Sequence, residues 1–191
     1  MRVGMIARGI ALAAMLGASG APAAYKSRTV EGWTVAASKD APGCFVSRTY
    51  DHPGDTTLLL GLDADGSNHL SILNANWSIK PDERLKLDFR LSGSAYPKHF
   101  AIGLASDGKQ GFVTSFGPDF PALFAKSRTL QITRGVTPVE RLDLTGGDTA
   151  VTELRGCVKA QADGSGSAKA GTSRRDSIPL DPFARGDKRG K

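Results

Sequence analysis

The densest cluster of titratable side chains in the sequence is Tyr50-Asp51-His52, which Pro53-Gly54 follows. A histidine beside a carboxylate can transfer protons in a hydrolysis reaction. In an extended strand Asp51 and His52 would point to opposite faces, whereas a loop ahead of Pro53 would allow them to converge. A polar turn after a strand explains the same residues and is the more common situation. We therefore treat the three residues as a candidate site and assign no catalytic residue.

Longer catalytic and nucleotide-binding motifs do not occur in the sequence. It contains no G-x-S-x-G, H-E-x-x-H, Walker A or strand-associated G-x-G-x-x-G pattern. His69 and His99 stand alone, each beside turn residues at the predicted edge of a strand. Trp33 and Trp77 could stack on sugars, but tryptophans in the core of a β domain are more common. These observations favour a protein that is not an enzyme, and they leave that question open.

The segment Asp63-Ala64-Asp65-Gly66-Ser67-Asn68 resembles part of a calcium-binding loop. An EF-hand loop needs a third oxygen ligand before its glycine and a glutamate at its twelfth position. Here Gly66 comes too early, and the twelfth position is Asn74. A turn between two strands accounts for the segment, so we predict no metal site and no cofactor.

Cys44 and Cys157 are the two cysteines of the chain. An even pair in an exported protein favours a disulfide. The bond would join the second predicted strand to the last predicted helix. The alternative is a reactive thiol, but neither cysteine belongs to a C-x-x-C motif or has a histidine near it in sequence. We predict a structural disulfide.

The body of the chain has the hydrophobic pattern of strands with one buried face. Residues 85–91 alternate most clearly between apolar and polar side chains. Further strands are predicted over residues 33–35 and 44–50. Three pairs of apolar runs flank short turn sequences and predict hairpins. These pairs are 56–62 with 70–77, 100–104 with 111–116, and 130–133 with 139–144.

Two short helices interrupt the strands. Asp119 can cap a helix over residues 120–126, in which Pro121 is tolerated in the first turn. A second helix follows Asp148 and extends to Val158. With the strands, they predict a mainly β fold, an antiparallel β-sandwich or barrel of about eight to nine strands with two short helices. We assign this domain to residues 24–158.

The first 23 residues have the three parts of a signal peptide. Arg2 and Arg8 form a basic start, an apolar run follows over residues 10–16, and Ala21-Pro22-Ala23 matches a cleavage site. The apolar run is shorter than the ~20 residues that a membrane-spanning helix needs, and no later stretch is apolar enough. We predict no transmembrane segment and a periplasmic or secreted protein. A buried N-terminal helix is the alternative explanation.

The net charge of +6 is concentrated at the two ends of the chain. Residues 159–191 carry +4 and the signal segment carries +2, so residues 25–158 are neutral overall. The folded body is therefore not a basic domain for specific nucleic-acid binding. Residues 159–191 are rich in Gly, Ser, Ala and charge, which predicts a disordered basic tail. The tail is either solvated without a role or in weak contact with anionic envelope polymers.

One stretch resembles a known family. Residues 122–157 read ALFAKSRTLQITRGVTPVERLDLTGGDTAVTELRGC, a short helix, two strands and a helix that ends in cysteine. Gly32-Trp33-Thr34-Val35, followed by Cys44, matches the usual start of the same proteins. The chain thus resembles small exported proteins of Gram-negative bacteria similar to the invasion-associated locus B family. The resemblance implies a β-sandwich with a disulfide-pinned terminal helix, and it carries over no catalytic residue.

Three hypotheses on function follow. The first is an exported, non-enzymatic module that binds a protein or an envelope polymer. The second is a small envelope hydrolase that uses Asp51 and His52, and a related variant is an inhibitor of a foreign hydrolase. The third is an exported domain without a dedicated ligand. The enzyme hypothesis requires Asp51 and His52 to line one pocket together.

Overall fold

The computed structural model of the protein describes residues 25–39 and 42–166, with side chains up to residue 163. The predicted signal peptide, residues 1–23, lies outside the described residues, as does the part of the predicted tail beyond residue 166. Neither helix in the described part of the chain has the length and hydrophobicity that a bilayer span requires.

Ten strands and two helices form the described part of the chain. The strands are β1 (Arg28–Val30), β2 (Trp33–Ala37), β3 (Gly43–Tyr50), β4 (Thr56–Asp63), β5 (Asn68–Asn74), β6 (Arg84–Leu91), β7 (Ser94–Ser106), β8 (Lys109–Thr114), β9 (Thr129–Arg134) and β10 (Thr137–Asp143). The helices are α1 (Phe120–Lys126) and α2 (Gly147–Gly166).

All ten strands belong to one antiparallel sheet, in the order β1-β2-β3-β4-β5-β8-β7-β6-β9-β10. The three predicted hairpins are present as β4–β5, β7–β8 and β9–β10. The mainly β, antiparallel fold class is therefore confirmed. The described strands number ten and not eight or nine, because the short strand β1 adds an edge to the sheet.

A two-sheet sandwich is not confirmed, and the sheet is not closed into a barrel. Two pairings between strands distant in sequence join the hairpins into one sheet, β5 with β8 and β6 with β9. Alternation of buried and exposed residues is the same in a sandwich and in a single curved sheet. The period-two pattern therefore could not distinguish the two architectures.

The core lies against one face of this sheet. Residues that pair directly across antiparallel strands share a face, and Leu58, Ile72 and Phe112 form such a row across β4, β5 and β8. All three side chains are fully buried, and each such burial contributes about 1.5–3 kcal/mol to folding. Helix α2 packs on β2 and β3, and α1 packs on α2.

Helix α1 covers residues 120–126 as predicted, but its N-terminus is held differently. Asp119 occupies the N-cap position without a side-chain hydrogen bond to the helix. Aromatic stacking fixes the helix instead. The ring of Phe120 stacks on Phe116 at 3.9 Å between centroids, and Phe116 stacks on His99 at 4.4 Å. His99, isolated in the sequence, thus belongs to an aromatic column.

Helix α2 begins at Gly147 and continues past the predicted domain boundary at Val158 to Gly166. The first eight residues of the predicted disordered tail are therefore helical. Gly156 lies on the exposed side of the helix, and the buried side of α2 is packed on the sheet. Residues 159–162 are Lys, Ala, Gln and Ala, which favour helix. The disorder prediction rested on the average composition of residues 159–191, which does not show the helix preference of these four residues.

A disulfide joins Cys44 in β3 to Cys157 in α2, as predicted. Both cysteines are buried, and their Cα atoms are 6.1 Å apart. The bond closes a loop with a sequence separation of 113 residues. It fixes the terminal helix to a strand in the interior of the sheet.

Replacement of both cysteines, Cys44→Ala with Cys157→Ala, should lower the free energy of unfolding by about 2–5 kcal/mol, because the unfolded chain regains the entropy that the long loop removes. Denaturant unfolding of the oxidised wild type and the double variant measures the difference. Reduced wild type should match the variant. Equal midpoints for oxidised and reduced wild type would contradict a stabilising role.

Candidate functional site

Tyr50 and His52 lie where side chains from one half of the sheet meet the end of its last strand. The indole N–H of Trp33 and the guanidinium of Arg48 both donate to the carbonyl of Thr145, each at 3.0 Å. The hydroxyl of Tyr50 donates to the carbonyl of Asp143 at 2.7 Å. Because β3 and β10 are far apart in the strand order, the sheet must curve strongly to bring these groups together. We call this contact the seam, which comprises Trp33, Arg48, Tyr50, His52 and Thr56 on one side and Glu140, Asp143 and Thr145 on the other.

The electrostatics of the seam favour these bonds. Burial raises the pKa of the Tyr50 phenol well above its usual range, because the phenolate would lose its hydration. The guanidinium of Arg48 lies 5.2 Å from the centroid of the Tyr50 ring and 5.6 Å from that of Trp33, a cation–π arrangement. Hydrogen bonds from Thr145 lower the pKa of the Asp143 carboxyl.

Glu140 is the centre of a second group of seam contacts. Its side chain is only 12% exposed, lies 3.1 Å from Nδ1 of His52 and accepts the hydroxyl of Thr56 at 2.6 Å. The same carboxylate accepts the backbone N–H of Arg141 at 2.9 Å. Asn74 completes the network, since its amide donates to the Thr56 hydroxyl at 2.8 Å. The buried Thr56 and Asn74 are thus fully hydrogen-bonded, as buried polar groups require.

The turn after His52 is shaped to fit this network. Gly54 has a φ of +85°, and a Cβ at that position would lie 2.1 Å from the side-chain oxygen of Asn74. Only glycine combines that backbone conformation with such a close approach. The Asn74 amide also donates to the carbonyl of Pro53 at 2.8 Å. The turn and the end of β5 therefore hold each other in place.

The structure does not bring Asp51 and His52 together. Asp51 is exposed, and among the described residues its carboxylate has no hydrogen bond or ion pair. His52 faces Glu140, and the Tyr50 ring lies 5.7 Å from the His52 ring. The sequence singled out Tyr50 and His52 but not Glu140, the partner of His52, which is 88 positions away.

A second histidine cluster was not predicted. Nδ1 of His69 lies 2.9 Å from the hydroxyl of Ser115, and Nε2 lies 2.9 Å from the carboxylate of Asp63. Ser67 donates to the same carboxylate at 3.1 Å. These are the residue types of an acyl-transfer triad, but the cluster is open to solvent, with the His69 side chain 46% exposed. It links the β4–β5 turn to the segment after β8.

No sequence signal pointed to the Ser115 contact. β5 and β8 are adjacent in the sheet, and Leu70 pairs with Thr114. That register places His69 beside Ser115. Because β6 and β7 separate the two strands in sequence, the hairpin pattern gave no indication of the pairing.

A cavity of about 310 Å³ with an apolar floor and polar residues at its edge opens between the β5–β6 connection and the β9–β10 hairpin. Leu85, Leu87 and Phe112 form its floor and are themselves core residues. Trp77 lies on one side, with its ring parallel to that of Phe112 at 6.0 Å between centroids. Val139 lies on the opposite side. We call this cavity the Trp77 cleft.

The rim of the Trp77 cleft carries hydrogen-bond donors. Arg134, Asn76 and Ser78 are exposed there. Among the described residues that line the cleft none is acidic, and Arg134 has no ion-pair partner within the described ranges. The cleft therefore combines an apolar interior with a single positive charge at its mouth.

The outer face of the sheet carries a hydrophobic strip. Ile102 and Val113 pair across β7 and β8, one register position from the buried row. Phe100 and Ile102 are 62% and 40% exposed, which is unusual for side chains of this size. Arg84 and Lys86 of β6 pair with Ile102 and Phe100. We call this surface the Phe100 face, which comprises Leu59, Arg84, Lys86, Phe100, Ile102, Leu104 and Val113.

A curved ten-stranded antiparallel sheet with a disulfide-anchored terminal helix is the fold that these contacts define. No family model matches the sequence, and no curated protein matches it. The crystal structure of invasion associated protein B from Bartonella henselae is similar, with a TM-score of 0.53 at 14% identity. The match covers 71% of this chain and 99% of that chain. The predicted resemblance is thus confirmed for the fold, and at this identity for the fold alone.

Replacement of Glu140 by alanine should lower the free energy of unfolding by about 1–3 kcal/mol, because the buried Thr56 hydroxyl loses its acceptor. Urea unfolding followed by circular dichroism measures the change. Glu153→Ala is a matched control, since the exposed pair of Glu153 with Arg28 spans 3.5 Å and contributes at most about 1 kcal/mol. Equal losses in both variants would show that the seam does not depend on Glu140.

Proposed function

We propose that the protein is an exported, non-enzymatic binding module that contacts a partner protein through the Phe100 face. The observation that carries this proposal is the exposure of Phe100 and Ile102 side by side on a regular sheet. A buried disulfide supports export, because such bonds persist in oxidising compartments. The periplasm and the cell exterior both meet that condition.

The chemistry of the Phe100 face fits an acidic partner with an apolar centre. Arg84 and Lys86 border the strip on β6, and neither has an ion-pair partner among the described side chains. The Lys86 ammonium lies 5.2 Å from the centroid of the Phe100 ring. Aromatic and basic side chains often contribute most of the binding energy in protein interfaces. Charges at the border increase the association rate and the selectivity for partners of opposite charge.

The test is capture of partners from an envelope extract by the immobilised, oxidised protein. Phe100→Ser combined with Ile102→Thr should reduce recovery of the specific partner about tenfold, because the central apolar contacts are lost. Both side chains are exposed, so the double variant should fold with an unchanged melting temperature.

Val136→Thr is the matched control. Val136 is a fully exposed apolar residue in the turn between β9 and β10, away from the Phe100 face. Its replacement should leave recovery unchanged. The proposal is contradicted if Val136→Thr lowers recovery of the partner as much as the double variant does. It is also contradicted if the double variant recovers as much partner as wild type. If an anionic polymer is recovered and no protein, the Phe100 face binds an envelope polymer and not a protein.

The cluster of Asp63, His69 and Ser115 favours a second candidate function, a small hydrolase. In this alternative the Ser115 hydroxyl attacks an ester carbonyl while His69, oriented by Asp63, accepts its proton. His69 then gives the proton to the alcohol that leaves as the ester C–O bond breaks, and water hydrolyses the acyl-serine to release the acid and restore Ser115. The hydrolase hypothesis thereby moves from Asp51 and His52 to residues that are in hydrogen-bond contact with one another.

Covalent labelling distinguishes the two functions. Under the hydrolase alternative, a fluorophosphonate probe should label Ser115, and His69→Gln should slow labelling about a hundredfold because the proton acceptor is lost. Mass spectrometry of tryptic peptides locates the adduct, and Ser106→Ala serves as the control for an exposed serine outside the cluster. A wild-type protein that remains unlabelled excludes the serine hydrolase.

A further inference from the structure

We propose that the Trp77 cleft binds a small monocarboxylate with an unbranched apolar tail. The cleft is distinct from the Phe100 face, since its floor is formed by side chains on the opposite side of the sheet. Phe112 points into the cleft, whereas its neighbour Val113 belongs to the outer face. The inference therefore does not depend on the proposed protein partner.

The interior of the cleft suits an apolar tail. Leu85, Leu87 and Phe112 offer no polar atoms from their side chains, and Trp77 provides a flat surface above them. A largely apolar cavity with a few polar groups at one end is the usual form of a small-ligand site. At about 310 Å³ the cavity limits the tail to a short or medium length.

The side of the cleft that carries Trp77 is held in place without a ligand. The backbone N–H of Asp82 donates to the carbonyl of Gly103 at 2.9 Å, and the N–H of Gly103 donates to the carbonyl of Glu83 at 2.7 Å. A Cβ on Gly103 would lie 2.0 Å from the carbonyl oxygen of Lys80, so glycine permits this close approach. When its amide nitrogen faces the β5–β6 connection, the side chain of Gln110 donates a hydrogen bond to the Trp77 carbonyl at 2.9 Å. A preformed site loses little entropy when a ligand binds.

The rim of the cleft suits a carboxylate. Arg134, Asn76 and Ser78 can all donate hydrogen bonds, and none of the cavity's lining residues in the described part of the chain is acidic. The planar guanidinium of arginine matches the two oxygens of a carboxylate. One cation balances the single negative charge of a monocarboxylate, whereas a dianion such as a phosphate monoester would stay half neutralised. The carboxylate remains at the solvent-exposed mouth while the tail enters the cleft.

The test uses octanoate and the uncharged octanol, which have the same apolar tail. Calorimetric titration of the oxidised full chain should show saturable binding of one octanoate per chain. In two-dimensional NMR spectra the indole signal of Trp77 should shift, while the signal of Trp33, which is buried and bonded to Thr145, should not. The two indoles thus locate the ligand.

Arg134→Gln should weaken octanoate binding about tenfold and leave octanol binding unchanged, because only the charged contact is lost. Arg155→Gln, an exposed arginine on α2, is the matched control and should behave as wild type. Val139→Phe, which fills the cleft from its other side, should abolish binding of both probes.

Each of the following results would overturn the inference. One is that wild type fails to bind octanoate saturably. Another is that Arg134→Gln binds octanoate with the same affinity as wild type. A further one is that the indole NMR signal of Trp33 shifts while that of Trp77 does not. Octanol that binds as tightly as octanoate to every variant would replace the carboxylate by a neutral apolar ligand. Because the Phe100 double variant keeps the cleft intact, it should still bind octanoate, which separates a failure here from a failure of the proposed function.

Discussion

The architecture depends on the seam, where side-chain hydrogen bonds hold two parts of the sheet together. Elsewhere in the sheet, backbone hydrogen bonds hold neighbouring strands together. A ten-stranded sheet has two edges, and exposed edges recruit other chains unless they are covered or curved away. Here Trp33, Arg48 and Tyr50 reach from the first half of the sheet to the carbonyls of Asp143 and Thr145. These bonds occupy acceptors at the end of β10 and fix the curvature. The enclosed core, and the cleft that opens beside β10, follow from that curvature.

The seam also explains why polar residues are buried in a small domain with a limited core. Glu140, Thr56 and Asn74 would each destabilise the fold if they were buried without a partner. Together they satisfy one another, and the carboxylate receives donors from both sides of the seam. Such a network has one arrangement in which every member is bonded, so it specifies the position of β10 more sharply than apolar packing alone would.

Local features of the fold were predictable from the sequence, and long-range ones were not. Helix α1 and the three hairpins follow from short-range spacing, and the disulfide follows from an even pair of cysteines. The pairings of β5 with β8 and of β6 with β9 have no local signature in the sequence. No turn joins the paired strands, so the sequence does not show which strands pair or in which register. The same limit applies to the sites. His52 was recognised as chemically interesting, but the contact that defines its surroundings comes from Glu140, and the contact of His69 comes from Ser115.

The position of the disulfide has a mechanical consequence. When tension is applied between the ends of the chain, the covalent link between Cys44 and Cys157 carries the load across the domain. The loop between them, about 380 Å long if fully extended, bears no force and cannot be unravelled. Of the described strands and helices, β1, β2 and the part of α2 beyond the bond lie in the loaded path. The β3–β10 region thus behaves as an inextensible element under this load, and reduction converts it to an ordinary sheet that unfolds strand by strand.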